Sequence, residues 1–383
     1  MYQIERLNAN DYEEALHVLN ASFDTVDPGA DFEKKLPIMW TREHDYMVKH
    51  FGVREDGKIV ALLGVYPLPL KIAGRELLFA TLGNVATLPE ARGKNYMKML
   101  MDVAVKEVAD LDIDVARLGG LRSRYNRFGF DHAGTKYNFR LTRRNADENP
   151  PKQAFTFREI AREDEEGIAF ARSCHQRLGM YTLRKTHTDF YMTTRAWEHR
   201  PYLAMDAEGR PVGYIASLED GSEVAEQGAI EGVSVVDMLS AWLKEKGIES
   251  LTFHLAPYEA EAVRDAFRVC ENWSMAAPSM FWVRNWDKVA EALLTLSLSV
   301  KPLPEGTATL GIEGWGTLEM TVKDGKAYAK RTDAPAEVTL PHRVATQFLF
   351  GPLNPGCMAD IPAGSLLAAW LPLPLSWNGQ DRV

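Results

Sequence analysis

The sequence predicts an α/β (α+β) chain of three units: two mixed-sheet units in succession and a smaller α+β unit at the C-terminal end. Three observations carry this reading. Alternating apolar runs joined by short glycine-containing turns stand beside stretches with helical hydrophobic spacing. A strand–turn–strand pattern at 53–63 returns at 204–215. The 383 residues, at roughly 100–200 per domain, leave room for two or three domains.

The elements follow in order. Asn10 reads as the cap of a helix over 11–19. Phe51-Gly52-Val53 and 58–65 alternate as strands around Glu55-Asp56-Gly57, and Asp-Gly between apolar runs signals a hairpin. A second hairpin turns at Ala73-Gly74 and returns over 77–87. The turn Pro89-Glu90-Ala91-Arg92-Gly93-Lys94-Asn95 leads into an amphipathic helix at 96–109, and 115–118 is a short strand. Residues 145–152 read as a linker, so the first unit is assigned to 1–148. The second unit, 149–286, repeats the strand pair and continues with a helix at 235–246 and a strand at 250–255, but no Arg-Gly turn precedes its helix. The third, 287–383, offers a helix at 289–296, strands at 308–312 and 316–322, a turn at Asp324-Gly325 and a capped helix at 339–350. Its tail, 371–383, is apolar and stiffened by proline, whereas disordered tails are poor in Leu and Trp. It is expected to dock.

Composition narrows the function. With 46% hydrophobic and 25% charged residues the chain is neither disordered nor collagen-like. A formal charge of -9 argues against a nucleic-acid partner and leaves a basic small molecule unrepelled. No run approaches 18 apolar residues, and the opening MYQIERLNANDYEE has no secretory pattern, so no membrane partner is expected. Three scattered cysteines, Cys174, Cys270 and Cys357, fit a reducing cytoplasm. His175, His187 and His199 are too widely spaced for a zinc helix, and no metal is expected. Cys174-His175 are sequence neighbours without an evident orienting partner, and Asp131-His132, a spare acid/base pair by type, reads as a surface pair at a strand edge.

The segment from Val85 to Met101 is the best motif. Glycine permits close backbone approach, the first-turn N–H groups of a helix favour anions, and Arg92 and Lys94 add positive charge. Such a turn suits a pyrophosphate. It is neither a Walker A loop nor a GxGxxG fingerprint. The element order and the turn 90–95 resemble the GCN5-related N-acetyltransferase (GNAT) family, whose motif is Arg/Gln-x-x-Gly-x-Gly/Ala; Glu90 and Asn95 occupy its end slots here, and Arg92-Gly93 stands at its centre. A full GNAT unit, a second GNAT-like unit without the loop and a sterol-carrier-protein-like unit resemble the enhanced intracellular survival (Eis) acetyltransferases.

That resemblance implies acetyl-CoA as cosubstrate, with no metal, held by Val85, Ala86, Thr87, Arg92, Gly93, Lys94, Asn95, Tyr96, Met97, Gly120 and Leu121. It implies that Tyr125, at the head of Tyr-x-x-Phe-Gly-Phe, is the general acid; a thiol near pKa ~8.5 and a phenol near ~10 are suitably matched. It also implies that the terminal carboxylate, here that of Val383, accepts or relays the amine's proton. Between the first helices, Phe23 and Trp40 are candidate apolar walls of the acceptor site, and Asp24 a candidate ammonium partner. The expected activity is transfer of acetyl to a primary amine of aminoglycoside, polyamine or lysine-peptide type, by a homo-hexamer or trimer. A small-ligand or lipid carrier, and a catalytically silent acyl-CoA sensor, are the alternatives.

Overall fold

The chain opens with a strand that a helical reading of its first twenty residues does not contain. In the computed structural model, which describes residues 2–43 and 45–383, β1 (Tyr2–Arg6) pairs antiparallel with β2 (His50–Glu55). The helix Tyr12–Phe23 lies between them, and the turn feeding it is capped by Asn8 rather than Asn10, in a reciprocal capping box with Asp11. β2, β3 (Lys58–Ile72) and β4 (Arg75–Thr87) make the two expected hairpins. Their turns, Asp56-Gly57 and Ala73-Gly74, are left-handed at both central residues, the geometry whose twist matches the flanking strands. The helix Tyr96–Asp110 buries Leu100, Met101, Ala104 and Val108, one face at helical spacing. β5 (Val115–Leu118) then runs parallel to β4.

Beyond this point the sheets depart from linear boundaries at 148 and 286. β6 (Asp131–Ala133) is followed two residues later by β7 (Lys136–Thr142), and the two lie in different sheets. The segment 145–152 is a linker only in its second half, because Arg143–Glu148 is a helix capped by Thr142. β8 (Thr156–Glu159), β9 (Met180–Thr182), β10 (Arg200–Met205), β11 (Pro211–Ser217), β12 (Glu223–Ala229) and β13 (Ser250–Leu255) follow. β14 (Asn272–Ala276) and β15 (Ser279–Val283) again cross between sheets. Among the described residues the first sheet runs β1-β2-β3-β4-β5-β15-β6, with β9 paired to β3, and the second runs β14-β7-β13-β12-β11-β10-β8. Each sheet thus holds a strand inserted from the other's stretch of sequence. The repeat at 53–63 and 204–215 reappears as the pairs β2–β3 and β10–β11.

The third unit packs the helix Trp286–Val300 on a sheet of β16 (Gly306–Ile312), β17 (Gly316–Lys323), β18 (Lys326–Thr332) and β19 (Val338–Leu340), in the order β18-β17-β16-β19. The final long helix begins at His342 rather than 339, because Thr339 pairs with Gly311 in β19. Trp286, Phe348, Phe350 and Trp370 are buried. Trp282 is half-buried against Phe130, and Trp273 is exposed on the edge strand β14. The tail docks as expected. Leu371, Leu373, Leu375 and Trp377 are buried, Thr135 N donates to Leu375 O at 2.7 Å, and the Trp377 ring stacks on Phe79 with centroids 5.9 Å apart.

Candidate active site

β3 and β4 lose regular register near the middle of the first sheet. Leu62 faces Ala86 and Gly64 faces Gly83, so Asn84 and Val85 together oppose Leu63. This is a β-bulge, and Asn84 accommodates it with a φ of +53°. On the other edge, β4 pairs with β5 only over Phe79–Leu82, after which these parallel strands separate. A cleft of about 440 Å³ lies on this side, walled by Val85, Ala86, Thr87, the Arg92-Gly93 turn, the start of the helix Tyr96–Asp110 and Tyr125. A second cavity of about 220 Å³ includes Tyr66, Thr81 and Val383 in its wall. The two meet β4 on either side of its bulge.

The larger cleft has the features of an anion site. Asn95 enters the helix in a left-handed conformation and offers no side-chain cap, so the first-turn N–H groups are left for another acceptor. Gly93 has a φ of +85°, and the space a side chain would fill is open to 4 Å. Arg92, Lys98, Arg124 and Arg127 line the cleft. Arg92 also donates to Ser22 O at 3.1 Å, which ties the turn to the end of the helix Tyr12–Phe23. Lys94 is drawn away, its Nζ lying 2.7 Å from the Glu55 carboxylate. Gly120 lies beneath Tyr125, where an added Cβ would come within 2.9 Å of the ring, and Leu121 is exposed at the entry to the short helix Arg122–Tyr125. Lys98, Arg124 and Arg127 went unassigned from sequence. The two arginines flank the tyrosine, and that proximity was the available signal.

Tyr125 is buried, and burial pushes its phenol above the ordinary value, so it holds its proton at neutral pH. The short helix that carries it is braced from below. Arg122 donates twice to the buried Asp131 carboxylate, at 2.6 and 2.8 Å, and Arg343 of the third unit reaches the same group at 3.2 Å. Burial alone would raise the Asp131 carboxyl; hydrogen bonds from Arg122 and the His132 N–H, with the Arg343 charge, hold it below the usual range. Asp131 is therefore a buried structural brace and not part of a surface pair at a strand edge.

The smaller cavity is closed by the end of the chain. A Cβ on Gly83 would lie 2.9 Å from the main-chain carboxyl carbon of Val383, so only glycine permits this approach. The preceding residues are pinned. Arg184 donates to Glu226 at 2.8 and 2.6 Å and reaches Asp381 at 3.2 Å, while Thr182 Oγ1 donates to Asp381 at 3.1 Å. Burial would raise the Glu226 carboxyl, but Arg184, His175 and the Tyr214 hydroxyl hold it down at about 2. Asp381 is raised, because burial and the Glu226 charge outweigh Arg184. Cys174 is buried, with its thiol pushed up to about 11, and His175 lies against Thr182 O and Glu226.

The sequence-derived acceptor residues divide. Phe23 lines the larger cleft and not the smaller cavity walled by Val383. Asp24 folds back to accept from Gly29 N at 2.9 Å and lies outside both linings. Trp40 is a core residue between Tyr12 and His50, in the apolar cluster that Val383 joins. The residues around the smaller cavity instead include Tyr46, Tyr66, Arg184, Lys185 and Asp189. Nothing local marks them, since they come together from distant elements.

Comparison with known proteins gives the following. Residues 3–133 match the family model described as an acetyltransferase (GNAT) domain. Among curated proteins no match is found. A protein of Enterococcus faecalis V583, described as a probable N-acyltransferase, is similar in structure with a TM-score of 0.67 and 14% identity, over 98% of this chain and 97% of that one. A GCN5-related N-acetyltransferase from Kribbella flavida gives 0.66 and 16%, over 97% and 95%. Eis1 from Mycobacterium abscessus gives 0.64 and 13%, over the whole of both chains. At these identities the likeness is one of fold.

Proposed function

We propose that this chain is an acetyl-CoA-dependent N-acetyltransferase acting on a primary amine. The observation that carries the reading is the placing of two cavities along β4, one walled by Val85–Thr87 and Tyr125 and the other by Thr81 and Val383. The GNAT match over residues 3–133 supports it.

The larger cleft fits acetyl-CoA, since it combines an uncapped helix start, an open glycine turn and a rim of cations. When bound there, acetyl-CoA supplies the acyl group as a thioester. Val85, Ala86 and Thr87 offer strand-like backbone groups, and Arg92, Gly93, Asn95, Tyr96 and Met97 surround the anion site. Tyr125, kept neutral by burial, is the proton donor on the thiol side. The carboxyl group of Val383 accepts or relays the amine's proton on the acceptor side. The tail that carries Val383 gives the third unit a part in the site.

The test combines calorimetry with acetyl-CoA and thiol release at saturating acetyl-CoA across an aminoglycoside, a polyamine and a lysine peptide. Binding with amine-dependent release is the expected result. Binding without release from any amine indicates a sensor, and no binding indicates a carrier.

A further inference from the structure

Tyr66 holds a position in the acceptor cavity that its own strand does not explain. Gly64 and Gly83 face each other across β3 and β4, and both lack side chains on the same face of the sheet. Other groups fill those spaces. The Tyr66 hydroxyl lies 2.2 Å from where a Gly64 Cβ would stand, and the main-chain carboxyl carbon of Val383 lies 2.9 Å from the corresponding point at Gly83. Directly opposed Cβ positions are ~5 Å apart. The hydroxyl and the carboxyl thus stand on the same face of the sheet, and both residues line the same cavity.

The hydroxyl is also fixed in its direction of donation. His50 Nδ1 lies 3.1 Å from the Tyr46 carbonyl oxygen, which can only accept, so the His50 proton is on Nδ1. His50 Nε2 must then accept, and Tyr66 Oη donates to it at 2.6 Å. Asn84 Nδ2, from the bulge, donates to Tyr66 Oη. A phenol oxygen has one proton and two acceptor positions. The proton and one acceptor position are used, and the remaining lone pair is left for a donor.

We propose that Tyr66 Oη is the fixed hydrogen-bond acceptor for one N–H of the acceptor amine, that the main-chain oxygens of Val383 take the second, and that this pair selects primary amines. The proposal rests on the acetyltransferase reading above. Its logic is a count of donors: a neutral primary amine has two N–H bonds and a lone pair, so both acceptors can be satisfied while the lone pair stays free to attack. A secondary amine has one N–H and leaves an acceptor unpaired. Tyr66 orients the nitrogen and does not remove its proton. Burial holds His50 neutral down to about pH 4, so the far end of the relay is no proton sink. His50 and Asn84 are positioning residues.

The experiment compares wild type, Tyr66→Phe and His50→Gln for three readouts: acetyl-CoA affinity by calorimetry, thiol release without amine, and kcat/KM for a primary amine and its N-methyl counterpart. In Tyr66→Phe the acetyl-CoA affinity should stay as in wild type, since Tyr66 lies outside the lining of the larger cleft. Its kcat/KM for the primary amine should fall about 10- to 100-fold, with little change for the N-methyl amine, so that discrimination collapses toward one. His50→Gln keeps an acceptor and should retain most of the discrimination. Unchanged discrimination in Tyr66→Phe overturns the proposal. Lack of amine-dependent release in wild type overturns the acetyltransferase reading, and this proposal with it.

Discussion

Arg184 Nη2 lies 3.2 Å from Asp381 Oδ1, a buried ion pair that ties the second unit to the chain two residues before Val383. The same guanidinium holds Glu226, so one cation is shared by two buried carboxylates. Arg184→Met should therefore leave two uncompensated buried charges, and a loss of about 3–5 kcal/mol in urea denaturation is expected. The loss should shrink at acid pH, where Asp381, already raised, takes up a proton.

Gly83→Ala tests the approach of the terminus more gently. The new Cβ would lie 2.4 Å from Val383 Cγ2, and Gly83 is held opposite Gly64 in β3, so the tail must yield. Turnover should fall while acetyl-CoA affinity is kept. Deleting Val383, or extending the chain beyond it, should slow the chemical step roughly 100- to 10,000-fold at saturating acetyl-CoA. Wild-type rates in the deletion and the extension would remove Val383 from the mechanism.

At the helix entry, Gly93→Asp and Gly93→Asn share the cost of a left-handed backbone and differ in charge. In neither does the Cβ meet a neighbouring atom. Calorimetry should find acetyl-CoA binding weakened tenfold or more by Asp and much less by Asn. Equal affinities would move the anion site elsewhere.

Tyr125→Phe removes the proposed proton donor without emptying the space above Gly120. Thiol release should drop about 100-fold with cofactor affinity nearly constant, the pattern of a group that acts in the transition state.

Stability should depend on buried histidines, three of which are shifted most strongly. Burial lowers His50 and His175 to about 4 and His254 to about 3, with Arg184 adding to the effect on His175, and Lys136 and Arg382 on His254. The unfolded chain binds protons at these imidazoles near the ordinary 6.5, and the fold does not. Stability is therefore complete above about pH 6.5 and is lost as pH falls through about 4 for His50 and His175 and through about 3 for His254, each costing on the order of 3–5 kcal/mol when fully lost. Denaturation midpoints measured across that range should fall as pH is lowered, with a shallower slope in His50→Gln.

Local features were well written in the sequence. The hairpins at Asp56-Gly57 and Ala73-Gly74, the helix from Tyr96 and the strand Val115–Leu118 each follow from turn chemistry or periodicity within a dozen residues. β1 escaped because it is short and half-exposed, and its partner lies more than forty residues away. The cofactor side is local too, since Val85, Gly93 and Tyr96 sit within one strand–turn–helix. The acceptor side joins Tyr66, Arg184 and Val383, which only the folded chain brings together. Asp24 and Trp40 looked suitable by residue type, but one is consumed by a turn and the other by the core.

The exchange of β7 and β15 makes the first two units indivisible. A piece ending at residue 148 would keep β5 and β6 but not β15, the strand that joins them, and would carry β7 with no partner. Two raw edges and a stray strand would invite aggregation rather than a smaller folded protein. A unit without an Arg-Gly turn is thus still required by the one that has it, because it lends the first sheet the strand that stands sixth in line. Mutation can erase the second unit's surface chemistry but not its backbone, since the two sheets can only be built, or lost, together.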